Sequence, residues 1–119
     1  NTHESKADDG YREMIINSKA EDIVYTAAVS GVNANFLRPS LEAVGITEKM
    51  WKDTKKMDLE NELDAANEEA KAWKTIWSAG QGVTAIHDSP PVQNLVSRLK
   101  EEFSEAVKKQ IELTSRFTD

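Results

Sequence analysis

The longest regular pattern in the chain is an amphipathic repeat from Val92 to about Arg116, which predicts a helix of about 25 residues. Asp88 or Ser89, followed by two prolines, is the predicted start of this helix. At roughly 25 cal/mol per Å², leaving its apolar face in water would forgo several kcal/mol, so the fold has to cover that face. The face consists of apolar, small or uncharged side chains: Val92, Leu95, Val96, Leu99, Phe103, Ala106, Val107, Gln110 and Thr114.

A second apolar stripe predicts another long helix over residues 58–77. Its members alternate at spacings of four and three: Leu59, Leu63, Ala66, Ala70, Trp73 and Trp77. The stripe is short for a coiled coil and carries Ala and Trp at the seam, so packing onto a globular body fits it better. We expect the stripe of the last helix to pack on this helix or to self-associate, forming a homodimer.

Shorter elements are predicted for the first half of the chain. Helical periodicity and a capping Asp8 or Asp9 indicate a helix over residues 8–18, and β-branched residues favour an extended stretch at Ile23–Thr26. Residues 33–45 predict a short helix capped by Asn35, and residues 46–57 a polar connector. The expected fold of residues 1–119 is therefore mostly α, with little or no sheet. We expect a single segment, with the shorter elements over 1–57 and two long helices, joined by a Gly-rich loop, over 58–119.

Charge and composition exclude several classes of protein. The chain has 15 Lys+Arg against 21 Asp+Glu, a net charge of −6, which argues against nucleic-acid and anionic-membrane partners. It contains no cysteine, so disulfides, thiol nucleophiles and cysteine zinc sites are excluded. There is no signal peptide and no apolar run of bilayer length, and we expect a cytoplasmic protein. The two histidines, His3 and His87, lack partners at helical spacing, so no metal ligand and no catalytic residue is assigned.

One short segment has the composition of a ligand-binding loop. Two glycines and two other small residues expose backbone N–H groups here, and the Gln amide both donates and accepts, which suits a heterocycle such as a flavin or nicotinamide. The alternative is a tight helix–helix crossing that requires small side chains. The segment is Trp77-Ser78-Ala79-Gly80-Gln81-Gly82.

The order of several segments resembles the C-terminal part of one enzyme family. They are Thr2-His3-Glu4-Ser5, Glu21-Asp22-Ile23-Val24-Tyr25-Thr26, Gly31-Val32-Asn33-Ala34-Asn35-Phe36-Leu37-Arg38-Pro39-Ser40, Ala72-Trp73-Lys74-Thr75-Ile76-Trp77-Ser78-Ala79-Gly80-Gln81-Gly82 and Ile86-His87-Asp88. The family is that of the nitronate monooxygenases (2-nitropropane dioxygenase-like), which are FMN-dependent oxidoreductases. The resemblance extends from Thr2 to about Phe103.

The resemblance implies a (β/α)₈ barrel, of which this chain supplies the part after the eighth strand. The phosphate-binding loops and the active-site His would lie upstream, so the chain alone is expected to be inactive and to bind FMN weakly or not at all. The candidate flavin-side residues are Ser78, Ala79, Gly80 and Gln81.

The complete enzyme would oxidise nitronates or related small molecules through FMN. Residues 67–72 depart from the Tyr and Lys that some members place before the Ala-Gly-Gln motif. That departure keeps related enoyl and quinone reductases open as alternatives. A hypothesis from another class is an independent helical interaction domain without catalysis, which dimerises through the apolar stripes.

Overall fold

The computed structural model describes residues 1–53 and 74–118. They form several helices and one small two-stranded sheet, so the prediction of a mostly α chain is confirmed. The chain divides into two compact units, one of residues 7–87 and one that joins residues 1–6 to residues 88–119. The helix predicted over residues 58–77 lies almost entirely outside the described residues.

The first helix, α1 (Asp9–Asn17), forms where the periodicity predicted it. The Asp8 side chain accepts a hydrogen bond from the Gly10 N–H at 2.8 Å, as expected for a cap at this position. Ser18 caps the end of the helix, and its hydroxyl donates to the Met14 carbonyl at 2.6 Å. Ile15 is the buried residue of this helix.

A hairpin of β1 (Ile23–Thr26) and β2 (Ala34–Leu37) follows, with Ile23 opposite Leu37 and Thr26 opposite Ala34. The extended stretch at Ile23–Thr26 is confirmed, and the two strands are antiparallel. The predicted helix over residues 33–45 was wrong in its first half, because Asn35 lies in β2 opposite Tyr25 and caps no helix. Pairing with β1 supplies the hydrogen bonds that a helix would otherwise have made.

The helical part of that segment is α2 (Arg38–Ala43), with Pro39 in its first turn. Gly45 follows with a φ of 81°, the left-handed conformation predicted for the residue after the helix end. The connector then contains a short helix, α3 (Glu48–Lys52), which was not predicted. Trp51 of α3 is 9% exposed, and its carbonyl accepts a hydrogen bond from the Thr26 hydroxyl at 2.8 Å.

Two clusters of buried side chains form the core of the unit of residues 7–87. The first joins β2, α2 and α3, and its buried members are Ala28, Val29, Phe36, Leu41, Ile46, Trp51 and Ile76. The second lies beneath α1 and includes Ile15, Leu37 and Val83. Leu37 of β2 and Leu41 of α2 therefore face different clusters, and the segment between them connects the two.

The unit of residues 1–6 and 88–119 is built on the helix α4 (Val92–Ser115), close to the predicted bounds. The predicted cap was wrong, because neither Asp88 nor Ser89 caps it. Both carboxylate oxygens of Glu4 accept from the Val92 N–H, at 3.0 and 3.1 Å, while Asp88 pairs with Arg98 at 3.0 and 3.1 Å. Val92 is the first residue after the prolines with an N–H to donate, so a carboxylate there also meets the positive end of the helix dipole.

The apolar stripe of α4 is exposed, and the helix contains no buried residue. Phe103, for example, is 71% exposed and Leu99 is 54% exposed. The predicted packing of this stripe on the helix of residues 58–77 lies outside the described residues. In the described part of the chain, no helix is long and apolar enough to span a membrane.

Candidate functional site

The predicted ligand loop begins at Trp77, whose backbone is fixed on both sides. The Trp77 carbonyl accepts from the Leu37 N–H of β2 at 2.8 Å, and the Trp77 N–H donates to the Ser40 hydroxyl oxygen of α2 at 3.0 Å. Ser40 is fully buried, and its hydroxyl in turn donates to the Leu37 carbonyl at 2.7 Å. The end of β2 and the start of α2 therefore determine where the loop leaves the core.

The Trp77 ring is held by α1. It lies against Tyr11, with ring centroids 5.5 Å apart and the ring planes at 49°. A Cβ on Gly10 would lie 3.0 Å from Cη2 of Trp77, so α1 can approach the ring this closely because residue 10 has no side chain. The Tyr11 hydroxyl reaches past the ring and donates to the Ser78 carbonyl at 2.7 Å.

The far end of the loop is fixed by a 3₁₀ turn, Gln81–Ala85. Its Val83 is 3% exposed in the second core cluster, and the Val83 N–H donates to the Gly80 carbonyl at 3.2 Å. The Thr84 hydroxyl oxygen accepts from the Ala20 N–H at 2.8 Å. The loop is thus anchored at both ends by hydrogen bonds to other parts of the chain.

Between these anchors the loop faces outward. Ser78, Gly80, Gln81 and Gly82 are exposed, and Ala79 is half-buried against the second core cluster. A Cβ added at Gly80 or Gly82 would meet nothing within 4 Å. Among the described residues the Gln81 amide makes no hydrogen bond. Neither glycine is needed for internal packing there, which weakens the alternative of a tight crossing for the described part of the chain.

The four predicted flavin-side residues are therefore adjacent on an exposed, anchored segment. Such a segment offers unhindered backbone and one amide that can donate and accept, which is what the edge of a polar heterocycle requires. None of these four residues has a carboxylate, imidazole or amine that could act as a general base.

Sequence reasoning missed a cleft of about 750 Å³ on the same unit. The β1 strand forms one side, and the other lining residues include Arg38, Glu42, Glu48, Trp51 and Lys52. No local pattern indicates this cleft, because residues from β1, α2 and α3 form it together.

Each of the two cations that line the cleft, Arg38 and Lys52, is paired with a carboxylate. Arg38 forms an ion pair with Asp22, and Lys52 pairs with Glu48 at 2.6 Å. The Lys19 N–H, donating to the Asp22 carboxylate at 2.9 Å, and the Arg38 guanidinium hold the pKa of Asp22 below its ordinary value. Because Glu42 and Glu48 also act on Arg38, the cleft does not present the excess positive charge that would select an anion.

The histidines give no sign of a metal or catalytic centre. His3 donates its backbone N–H to the Pro90 carbonyl at 3.1 Å, and His87 is exposed. Within residues 1–53 and 74–118, no group of three or more His, Asp or Glu side chains is placed to hold a metal ion. No protein-family model matches the chain, and the searches of curated proteins and of solved structures found no match either.

Proposed function

We propose that this chain is the C-terminal part of an FMN-dependent oxidoreductase resembling nitronate monooxygenase, and that Ser78, Ala79, Gly80 and Gln81 form one wall of its flavin site. The observation that carries the proposal is the loop itself: an exposed backbone with open space at Gly80 and Gly82, held at both ends by buried anchors. The motif that carries the family resemblance is thus also the segment best suited to a flat ligand.

Two properties of the loop favour binding of a flat ligand: a ring can approach its main chain closely, and its conformation is already fixed. A glycine lets a planar ring approach the main chain without displacing a side chain, and the Gln81 amide can match the alternating donors and acceptors of a flavin edge. Because Trp77 and Val83 already fix the loop, little conformational entropy would be lost on binding. The bound flavin would supply the redox chemistry, while these residues orient its ring and exclude water from one side.

The proposal also assigns the other elements a place around a (β/α)₈ barrel. In it, α1 follows the eighth strand on the outside, the hairpin of β1 and β2 is an arm, and α4 belongs to the closing helices. The phosphate of FMN would be bound upstream, where the family places its Gly-rich loops. Phosphate donors contribute much of the affinity of such a cofactor, so the 119-residue chain is expected to bind FMN weakly.

The test uses the complete product of the gene that encodes this chain. The purified protein is expected to carry flavin absorbance, and heat denaturation should release FMN. Anaerobic addition of a nitronate should bleach that absorbance. Bleaching by NADPH alone would instead assign the parent to the enoyl or quinone reductases. A flavin-free product that stays flavin-free after incubation with FMN would overturn the proposal.

A second candidate function is association through the exposed stripe of α4. The observation that favours it is the exposure of Val96, Leu99 and Phe103, at 44%, 54% and 71%, on one helix with no buried residue. Monomeric proteins rarely leave a continuous apolar surface of this kind in water. The two candidates use different units of the chain, so each can be tested without the other.

A further inference from the structure

The apolar stripe of α4 has the spacing of a two-helix seam. Seven positions of α4 alternate at four and three residues, which is the a/d pattern of a heptad repeat. These seam positions are Val92, Val96, Leu99, Phe103, Ala106, Gln110 and Leu113. The apolar residues Leu99 and Phe103 near its centre are more than half exposed. A second helix could therefore lie along the full length of the seam.

The charges beside the seam distinguish the two possible orientations of that second helix. Glu102 and Lys109 flank the seam on the same side, seven residues apart. In an antiparallel pair, flanking residues of the same side meet, so Glu102 of each copy faces Lys109 of the other and the contact is made twice. In a parallel pair, Glu102 would face Val107 and Lys109 would face Thr114, with no ion pair. Charge complementarity therefore favours the antiparallel orientation.

Side-chain size within the seam favours the same orientation. Antiparallel pairing sets Phe103 against Ala106 at the centre, so that a large residue fills the space left by a small one. The same register sets Leu99 against Gln110. Parallel pairing would instead set Phe103 against Phe103 and Ala106 against Ala106, which crowds one layer and leaves a gap in the next.

We propose that α4 is a self-association surface whose occupant is α4 of a second copy of this chain, antiparallel, with Glu102 facing Lys109 across the seam. This inference rests on the second candidate function and is independent of the flavin proposal. Its tests measure mass and cross-linking, whereas the flavin proposal is tested by absorbance. Failure of one leaves the other standing.

The first test is a charge exchange read by sedimentation equilibrium of the full chain. Glu102→Lys should raise the dimer dissociation constant about tenfold, because it replaces two attractive contacts by two repulsive ones. Glu102→Lys combined with Lys109→Glu should restore the affinity of the unmodified chain. Leu99→Asp should abolish the dimer, with circular dichroism showing that the helix content is kept.

The second test determines the orientation of the two helices by disulfide cross-linking. Each introduced cysteine is the only one in its chain, because the natural sequence contains none. A mixture of Leu99→Cys and Gln110→Cys chains should form the mixed disulfide, whereas Leu99→Cys alone should not cross-link to itself. A monomeric chain at all concentrations would show that something else covers the stripe and would overturn the proposal. Two results would overturn the antiparallel register. One is an unchanged dimer dissociation constant in Glu102→Lys, and the other is efficient cross-linking of Leu99→Cys chains to each other.

Discussion

Ser40 fixes the candidate loop through a single buried hydroxyl. Its oxygen accepts from the Trp77 N–H at 3.0 Å, and its hydrogen is directed to the Leu37 carbonyl at 2.7 Å. This oxygen therefore joins the start of the loop to the end of β2, beside the bond that the Tyr11 hydroxyl makes to the Ser78 carbonyl.

We expect Ser40→Ala to lower the free energy of unfolding by about 1 to 3 kcal/mol, because the Trp77 N–H would be left without its partner in a part-buried place. Urea unfolding followed by tryptophan fluorescence measures the change. Ser104→Ala, at an exposed position of α4, is the matched control and should stay within about 0.5 kcal/mol. Equal effects at the two positions would show that the buried bond does not hold the loop.

The same substitution should lower the free energy of unfolding at Gly10 and leave it nearly unchanged at Gly80. Gly10→Leu forces a side chain against Trp77, whose Cη2 lies 3.0 Å from the new Cβ, and should cost about 1 to 3 kcal/mol of stability. A Cβ added at residue 80 meets nothing within 4 Å, so Gly80→Leu should leave stability within about 0.5 kcal/mol. Thermal unfolding of both variants measures this. A strongly destabilised Gly80→Leu would mean that the loop is packed rather than open.

Asp22 links the stability of the hairpin to pH. The Lys19 N–H and Arg38 keep the pKa of Asp22 below its ordinary value in the folded chain, so the unfolded chain binds its proton first as the pH falls. The stabilisation is complete above about pH 4 and is lost as the pH drops through the folded pKa. Asp22→Asn should flatten the acid limb of a plot of stability against pH. Glu13→Gln, on the exposed side of α1, is the control, and an unchanged acid limb in Asp22→Asn would contradict the assignment.

At the scale of elements, α4 illustrates how a helix cap can lie far away in sequence. Glu4 provides the acceptor for Val92, although 88 residues separate them. We expect Glu4→Ala to destabilise the first turn of α4 by about 0.5 to 1 kcal/mol, since both the hydrogen bond and the favourable charge at the helix start are lost. Hydrogen exchange at Leu95 should accelerate, because its N–H donates to the Pro91 carbonyl in that turn.

Glu21→Ala, an exposed acidic residue outside α4, controls for the change in net charge. If exchange at Leu95 is unaffected by Glu4→Ala, or is affected equally by both variants, Glu4 does not cap the helix.

The elements that sequence predicted well are those whose pattern is local. The periodic spacing of Tyr11, Met14 and Ile15 was enough to predict α1, and the long apolar stripe was enough to predict α4. The strand β2 was missed because Leu37, Leu41 and Val44 also fit a helical face, and only pairing with β1 decides between the two structures. The Glu4 cap could not be predicted either, because it depends on a contact between distant segments.

The candidate site shows the same division between local and tertiary information. The glycines and Gln81 mark the loop in sequence, so its exposure could be expected from composition. The anchors at Ser40, Tyr11 and Gly10 come from other elements and were not predicted. The cleft beside β1 was missed for that reason too.

At the scale of the whole molecule, the two candidate functions belong to separate compact units. The loop lies in the unit of residues 7–87, and the seam lies on the helix of the other unit. A substitution in one is therefore not expected to change the readout of the other. Gly80→Leu should leave the dimer dissociation constant unchanged, and Glu102→Lys should leave flavin binding unchanged.

The central claim is that the segment from Ser78 to Gln81 touches a flavin, and the most direct measurement is the FMN content of the complete gene product with and without Gly80→Leu. The unmodified product should carry stoichiometric FMN, and the variant should lose most of it while keeping its helix content by circular dichroism, because the new side chain occupies the space of the ring. Ala85→Leu, at an exposed position on the adjacent turn, should keep its flavin. Full FMN content and an unchanged absorbance spectrum in Gly80→Leu would contradict the account.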